Sequence, residues 1–160
     1  MTSQGLSVML MQTFVGNYTK ETCDDPNCVK SRTWCVIKYA GCPITYIGRL
    51  QYEIALSTTE AEYISLSTVA REVLPLRELI LELKPILDIP EADLKIRCTL
   101  FEDNKGAEEL AKVPKNRPRT KHIAVKYHHF RTAVQQGYLL VKRVDTLEHL
   151  ADIFAIPLVK

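Results

Sequence analysis

The sequence predicts a mixed α/β fold on three observations: a β-compatible N-terminal third, a long helical stretch opened by a capping box, and beyond it a strand with strict two-residue alternation. Leu6–Phe14 has β-forming composition, and Asn17–Arg32, rich in Asp, Asn, Cys and Thr and containing Pro26, reads as a surface loop. Trp34–Tyr39 and Ile44–Leu50 are rich in β-branched and aromatic residues and flank the turn-forming Ala40-Gly41-Cys42-Pro43, which predicts a hairpin. Ser57-Thr58-Thr59-Glu60 has the form of a capping box, so a long helix should start near Ser57 and run to about Leu83. Pro75 lies inside it and is expected to kink the helix or split it. Leu94, Ile96, Cys98 and Leu100 alternate with Lys95, Arg97 and Thr99, the period of a half-buried strand. A short helix follows from about Asn104 to Lys112, broken by Pro114 and Pro118. His122–Gln135 then reads as another helix, ended by Gly137, and Tyr138–Val144 as a strand. Asp145-Thr146-Leu147-Glu148 repeats the capping pattern and opens a last helix that Pro157 stops. The predicted order is three strands, helix, strand, helices, strand, helix.

At 160 residues, 46% hydrophobic and 25% charged, the chain has the size and composition of one globular domain over residues 1–160, with an ordered core expected from about 5 to 156 and a surface loop at 17–32. No apolar run approaches the ~20 residues that span a bilayer, and Leu6–Met11 lacks the basic flank and cleavage site of an export signal. An intracellular protein with reduced thiols is expected, in a cytoplasmic particle or the nucleus, since the five cysteines are odd in number and no secretory signal accompanies them. Cys23 and Cys28 bracket an acidic loop whose spacing does not suit zinc, so they read as two loop cysteines. The net charge of +2 says little, but its distribution says more. From Ala111 to Arg131 there are seven basic residues (Lys112, Lys115, Arg117, Arg119, Lys121, Lys126 and Arg131), three histidines and no acid, the pattern of a phosphate-facing surface.

Three carboxylates fall where solvation alone does not call for them. Glu62 shares the side of its helix with Leu66, Val69 and Val73, the face that should meet the core, where a charge is costly unless paired or bound to a metal. Asp103 ends the alternating strand on the face opposite Leu94, Ile96, Cys98 and Leu100, just before a helix, and Asp152 sits beside Ala151 and Ile153 in the last helix. Hard oxygen donors of this kind suit Mg²⁺ or Mn²⁺, and such a cluster can hold two ions about 4 Å apart for attack on a phosphodiester.

Four segments carry a resemblance: Ala55-Leu56-Ser57-Thr58-Thr59-Glu60-Ala61-Glu62-Tyr63, Phe101-Glu102-Asp103-Asn104-Lys105-Gly106-Ala107, Arg119-Thr120-Lys121-His122-Ile123 and Leu150-Ala151-Asp152-Ile153-Phe154. In this order they resemble the motifs of the ribonuclease H (RNase H) domain in Pol polyproteins of copia-type long-terminal-repeat retrotransposons. Tyr127-His128-His129-Phe130-Arg131 and Pro157-Leu158 are similar as well. The resemblance implies an RNase H fold, a five-stranded mixed sheet flanked by helices, that cleaves the RNA strand of RNA–DNA hybrids with two divalent ions, and ancestral fusion to a reverse transcriptase. By motif, Glu62, Asp103 and Asp152 correspond to three of the family's four metal-binding, catalytic carboxylates. The remaining one belongs on the opening strand, in a segment that usually reads Val-Asp-Ala-Asp-Phe-Ala-Gly-Asn; here Met11 and Thr13 replace both aspartates while Phe14, Gly16 and Asn17 keep the alignment. A thioether is a poor ligand for a hard ion, so impaired cleavage is expected. Trp34 also stands where the family usually has Gly, and Ala155-Ile156 where it has Thr-Lys. Asn104, Lys115, Arg117, Arg119, Lys121, His122 and Arg131 are the expected nucleic-acid contacts, with Asn104 open to a second reading as a helix cap. The alternatives to an impaired nuclease are a non-catalytic nucleic-acid-binding module and an inactive retroelement relic.

Overall fold

The computed structural model describes residues 6–13, 24, 25, 27–83, 85, 86, 98–112 and 125–144, and within the first strand the side chain of Val8 alone. Strands β1 (Leu6–Thr13), β2 (Arg32–Tyr39), β3 (Cys42–Leu50), β4 (Cys98–Glu102) and β5 (Leu139–Arg143) alternate with helices α1 (Thr58–Leu83), α2 (Lys105–Lys112) and α3 (Arg131–Gln135), with a 3-10 turn at Val125–His128. They form one mixed sheet in the order β3-β2-β1-β4-β5. The first three strands run as an antiparallel meander, and β4 and β5 join parallel to β1. Parallel neighbours need long crossovers, and helices lie between β3 and β4 and between β4 and β5.

The core follows from strand alternation. Thr33, Cys35 and Ile37 are buried on β2 while their neighbours are not. Ile37, Val8, Leu100 and Val141, none more than 3% exposed, stand in one row across four strands. Onto this row α1 lays Leu66, Val69, Ala70 and Val73, all fully buried; each large aliphatic side chain so removed from water contributes about 1.5–3 kcal/mol. Polar bonds fix where α1 sits over the sheet: Gln51 Nε2 donates to Thr33 Oγ1, Ser65 Oγ and the Ala61 carbonyl, all buried. This network ties β2, β3 and α1 together through the Gln51 amide nitrogen, while Gln51 Oε1 is buried without a partner.

Several sequence expectations need correction. Pro75 does not split the helix, which runs without a break from Thr58 to Leu83. The lost bond is the one to the carbonyl of Arg71, and Arg71 and Pro75 are both exposed, so water can serve that carbonyl. His122–Gln135 is not one helix: its described part is the 3-10 turn Val125–His128 followed by α3 from Arg131. The buried Tyr127 and Phe130 are three apart, a spacing that a 3-10 turn satisfies as well as an α-helix. Residues 94–97 and the predicted last helix lie outside the described residues.

Cys28, Cys35, Cys42 and Cys98 are free thiols. Burial pushes Cys35 up to about 12 and Cys98 up to about 11, so neither offers a thiolate at neutral pH. No helix among the described residues is long and apolar enough to cross a membrane.

Trp34 lies across Gly48, its cross-strand partner on β3: a Cβ at position 48 would stand 2.3 Å from the indole Cζ3 and 2.6 Å from Cε3. Gly48→Ala should therefore displace the half-buried ring and cost about 1–2 kcal/mol, the lower part of the overpacking range because the indole has room to move outward. Trp34 is the single tryptophan, so its fluorescence in a urea titration reports both effects. An unchanged midpoint with unchanged emission would mean that the ring does not rest on Gly48.

Candidate metal centre

The first turn of α1 is set by its cap. Ser57 Oγ accepts the Glu60 N–H at 3.1 Å, and Glu60 Oε2 reaches back to accept the Leu56 N–H at 2.7 Å. This reciprocal pair satisfies two donors that the helix end would otherwise leave open, and it fixes the rotation of α1 that carries Glu62 on the same side as Leu66, Val69 and Val73. Those three are fully buried, and Glu62, nearer the helix end, is partly buried.

Opposite it, β4 ends at Glu102. Asp103 stands immediately past the strand rather than within it, and Asn104 caps α2 by accepting the Gly106 and Ala107 N–H groups on Oδ1. The structure thus gives Asn104 a capping role. Gly106 lets the two helix starts approach, since a Cβ there would lie 3.0 Å from Thr59 Cγ2 and Oγ1. Carboxylates of α1 and of the β4 end are brought together as a result.

Glu62, Glu102 and Asp103 each offer a carboxylate oxygen within 4.8 Å of the others. Glu102 is 1% exposed; its Oε1 accepts the Asn104 N–H at 3.1 Å and its Oε2 receives no N–H or hydroxyl donor. Burial pushes the Glu62 carboxyl up to about 8, the Asp103 charge pushes the same way, and a hydrogen bond with Glu102 opposes both. Burial likewise raises Glu102, up to about 10, with Glu62 the next cause. Three carboxylates in so small a space cannot all be ionised without a compensating cation. An all-oxygen acidic set is the donor chemistry that Mg²⁺ and Mn²⁺ favour, and the orphaned Glu102 oxygen is a lone pair ready for such an ion.

Of the residues expected from sequence, Glu62 and Asp103 meet here. Asp152 lies outside the described residues, as do Lys115, Arg117, Arg119, Lys121 and His122. Met11 is paired with Trp34 in the β1–β2 register, and its side chain is not described. Arg131 departs from the expected phosphate-facing role: it is 9% exposed, with its guanidinium 5.5 Å from the centre of the Tyr63 ring. The Tyr63 hydroxyl in turn shares a 2.8 Å hydrogen bond with His128 Nδ1. Burial raises Tyr63 to about 12, and burial followed by the Arg131 charge lowers His128. This group packs the C-terminal end of the basic block against α1 at Tyr63, the residue after Glu62.

Glu102 was missed by the sequence reading, although a signal existed. It continues the alternation of Cys98 and Leu100, so an acid was already assigned to the core-facing side.

No family model matches the chain. Among solved structures it is similar to LC11-RNase H1 isolated from compost by a metagenomic approach (TM-score 0.55, 13% identity, 94% of this chain and 91% of that one). It is also similar to the N-terminal RNase H domain of Rv2228c from Mycobacterium tuberculosis, solved as a fusion with maltose-binding protein (TM-score 0.56, 11% identity, 93% and 88%). The fold is therefore that of RNase H. In sequence the chain is 34% identical over 123 residues to the retrovirus-related Pol polyprotein of transposon TNT 1-94 from Nicotiana tabacum, which covers 77% of this chain and 9% of the polyprotein. It is 38% identical over 116 residues to those of transposons RE1 and RE2 from Arabidopsis thaliana, covering 72% of this chain and 7% and 8% of theirs. The chain spans less than a tenth of the curated relatives it matches. It belongs to the retrovirus-related Pol polyproteins of transposons, as an RNase H-like domain.

Proposed function

We propose that this chain is a copia-type RNase H domain, one domain over residues 1–160, that binds RNA–DNA hybrids inside the cell and descends from an enzyme cleaving their RNA strand, with cleavage impaired by Met11. The observation that carries the reading is the meeting of Glu62 and Asp103, far apart in sequence, in one partly buried acidic cluster. Glu62, Asp103 and Asp152 would hold the divalent ions, and bound there the ions would supply Lewis acidity and an activated water for attack on a phosphodiester. The chain's own contribution is to hold the carboxylates: α1 fixes Glu62 through its cap, and the Asn104 turn fixes the end of β4. Lys115, Arg117, Arg119, Lys121 and His122 would hold the hybrid backbone.

Fluorescence anisotropy with a labelled hybrid, titrated at several salt concentrations, tests the binding. Affinity should fall steeply with salt, because each Lys or Arg that meets a phosphate displaces a counterion. Changing Arg119 and Lys121 together to Ala should make the logarithmic slope shallower by roughly 1–2, given a contribution near 0.9 per neutralised phosphate. Unchanged affinity and slope would reduce the basic block to a solvated face. Incubating the same hybrid with Mn²⁺ tests the catalytic half: wild type should cut it slowly or not at all, and hydrolysis at the rate of an intact RNase H would refute the impairment.

A further inference from the structure

We infer that Glu102 is itself a metal ligand, a carboxylate on β4 that serves the site where β1 carries Met11 instead of an acid; this rests on reading the acidic cluster as the domain's metal site. The observation is the state of its two oxygens. Oε1 accepts the Asn104 N–H, and Oε2, on a side chain 1% exposed, receives no N–H or hydroxyl and has only the neighbouring carboxyls of Glu62 and Asp103 to share a proton with. A residue needed only to receive the Asn104 N–H would serve better as Gln, whose amide could donate to the Glu62 and Asp103 carboxylates beside it. Without a cation Glu102 can meet those neighbours only by keeping a proton, whereas ionised it offers only acceptors, an arrangement that a cation completes.

Register supports the substitution of one strand's ligand by the other's. β1 and β4 are parallel neighbours whose register ends with Met9 level with Phe101, and Glu102 is the next residue and the last of β4. Adjacent strands are about 4.8 Å apart, so a carboxylate at the end of β4 can serve an ion that the β1 position no longer reaches. Glu102 lies on the face of Cys98 and Leu100, toward α1 and Glu62, while the family motif assigns its ligand to the following residue, Asp103. The cluster therefore holds one acid more on β4 than the motif provides and one fewer on β1.

Mn²⁺ titration by calorimetry on the full chain tests this, with Glu62→Gln and Asp103→Asn as references and thermal unfolding in EDTA as the check on folding. Glu102→Gln should weaken Mn²⁺ binding about tenfold or more, as a lost ligand does. It should also unfold in EDTA no earlier than wild type, because it relieves repulsion among buried acids. Glu102→Asp, which keeps the charge but withdraws it by one methylene, should bind with intermediate affinity. If Glu62→Gln and Asp103→Asn weaken binding while Glu102→Gln and Glu102→Asp match wild type, Glu102 is no ligand and the metal site stands without it. If wild type does not bind Mn²⁺, or if none of the variants alters its affinity, the metal-site reading itself fails and takes this inference with it.

Discussion

Met11→Asp is expected to raise Mn²⁺-dependent cleavage of an RNA–DNA hybrid by at least about 100-fold over wild type, equivalent to about 2.7 kcal/mol of barrier. The estimate rests on what the site lacks. Glu62, Glu102 and Asp103 lie on α1 and at the end of β4, and β1 runs between β4 and β2. Position 11 lies two residues past the Met9–Phe101 pair, on the strand next to the β4 end that carries Glu102, and a thioether there is no hard ligand. The proposed ligands Glu62, Asp103 and Asp152, with Glu102 beside them, leave the β1 position that the family resemblance assigns to a carboxylate without a hard oxygen. Met11 and Trp34, both departures from the pattern that the resemblance implies, are direct cross-strand partners and so fall on one patch of sheet. A carboxylate at position 11 would face an indole, and Trp34→Gly or Thr13→Asp should add to the recovery. Single-turnover cleavage of a labelled hybrid gives the comparison. If wild type already cleaves at a rate that Met11→Asp does not improve, the missing carboxylate is not what limits the enzyme.

Local chemistry was the legible part of this chain. The Ser57–Glu60 cap, the β2–β3 hairpin and the buried stripe Leu66, Val69 and Val73 each depend on residues within a few positions of one another, and each formed as read. Sheet order became legible only through the resemblance, because parallel pairing of β1 with β4 joins residues some ninety positions apart. Glu102 is hard to read from sequence because the motif falls on Asp103 and the alternation of apolar residues ends at Leu100. Carrying the period of two one step further places an acid on the core side, and the physical consequence, a buried orphan oxygen, appears only when Glu62 arrives from α1. Arg131 shows the converse: a basic run seen in sequence reads as a phosphate-facing surface, yet the Tyr63 ring gives this guanidinium a place inside. Pro75 is tolerated where sequence rules would break the helix, since the exposed side of α1 can give its open carbonyl to water.

Metal-free protein should lose stability as pH rises from 7 to 8.5, opposite to the behaviour of a protein held by ionised carboxylates. Glu62 and Glu102 keep protons in the folded chain well above the ordinary value of 4.5, up to about 8 and about 10, first because burial disfavours their charge and then because they and Asp103 repel. In the unfolded chain both have already ionised by pH 7. The folded state therefore binds more protons across this window, and the free energy of unfolding falls with pH by up to about 1.4 kcal/mol per pH unit for each proton retained. The two acids titrate as a pair, so a loss on the order of 2 kcal/mol is expected over the window. His128, whose lowered value acts in the other direction at lower pH, is neutral in both states above 7 and does not interfere. Cys35 and Cys98 add the same sign only above the ordinary thiol value of 9. Urea unfolding in EDTA at both pH values, followed by Trp34 fluorescence, measures the change, and Glu102→Gln should flatten it. Saturating Mn²⁺ should reverse the slope, because the ion binds the ionised carboxylates and competes with their protons. A metal-free midpoint that rises from pH 7 to 8.5 would mean that the acids are already charged in the folded chain, with solvent or cations from elsewhere in the protein compensating them.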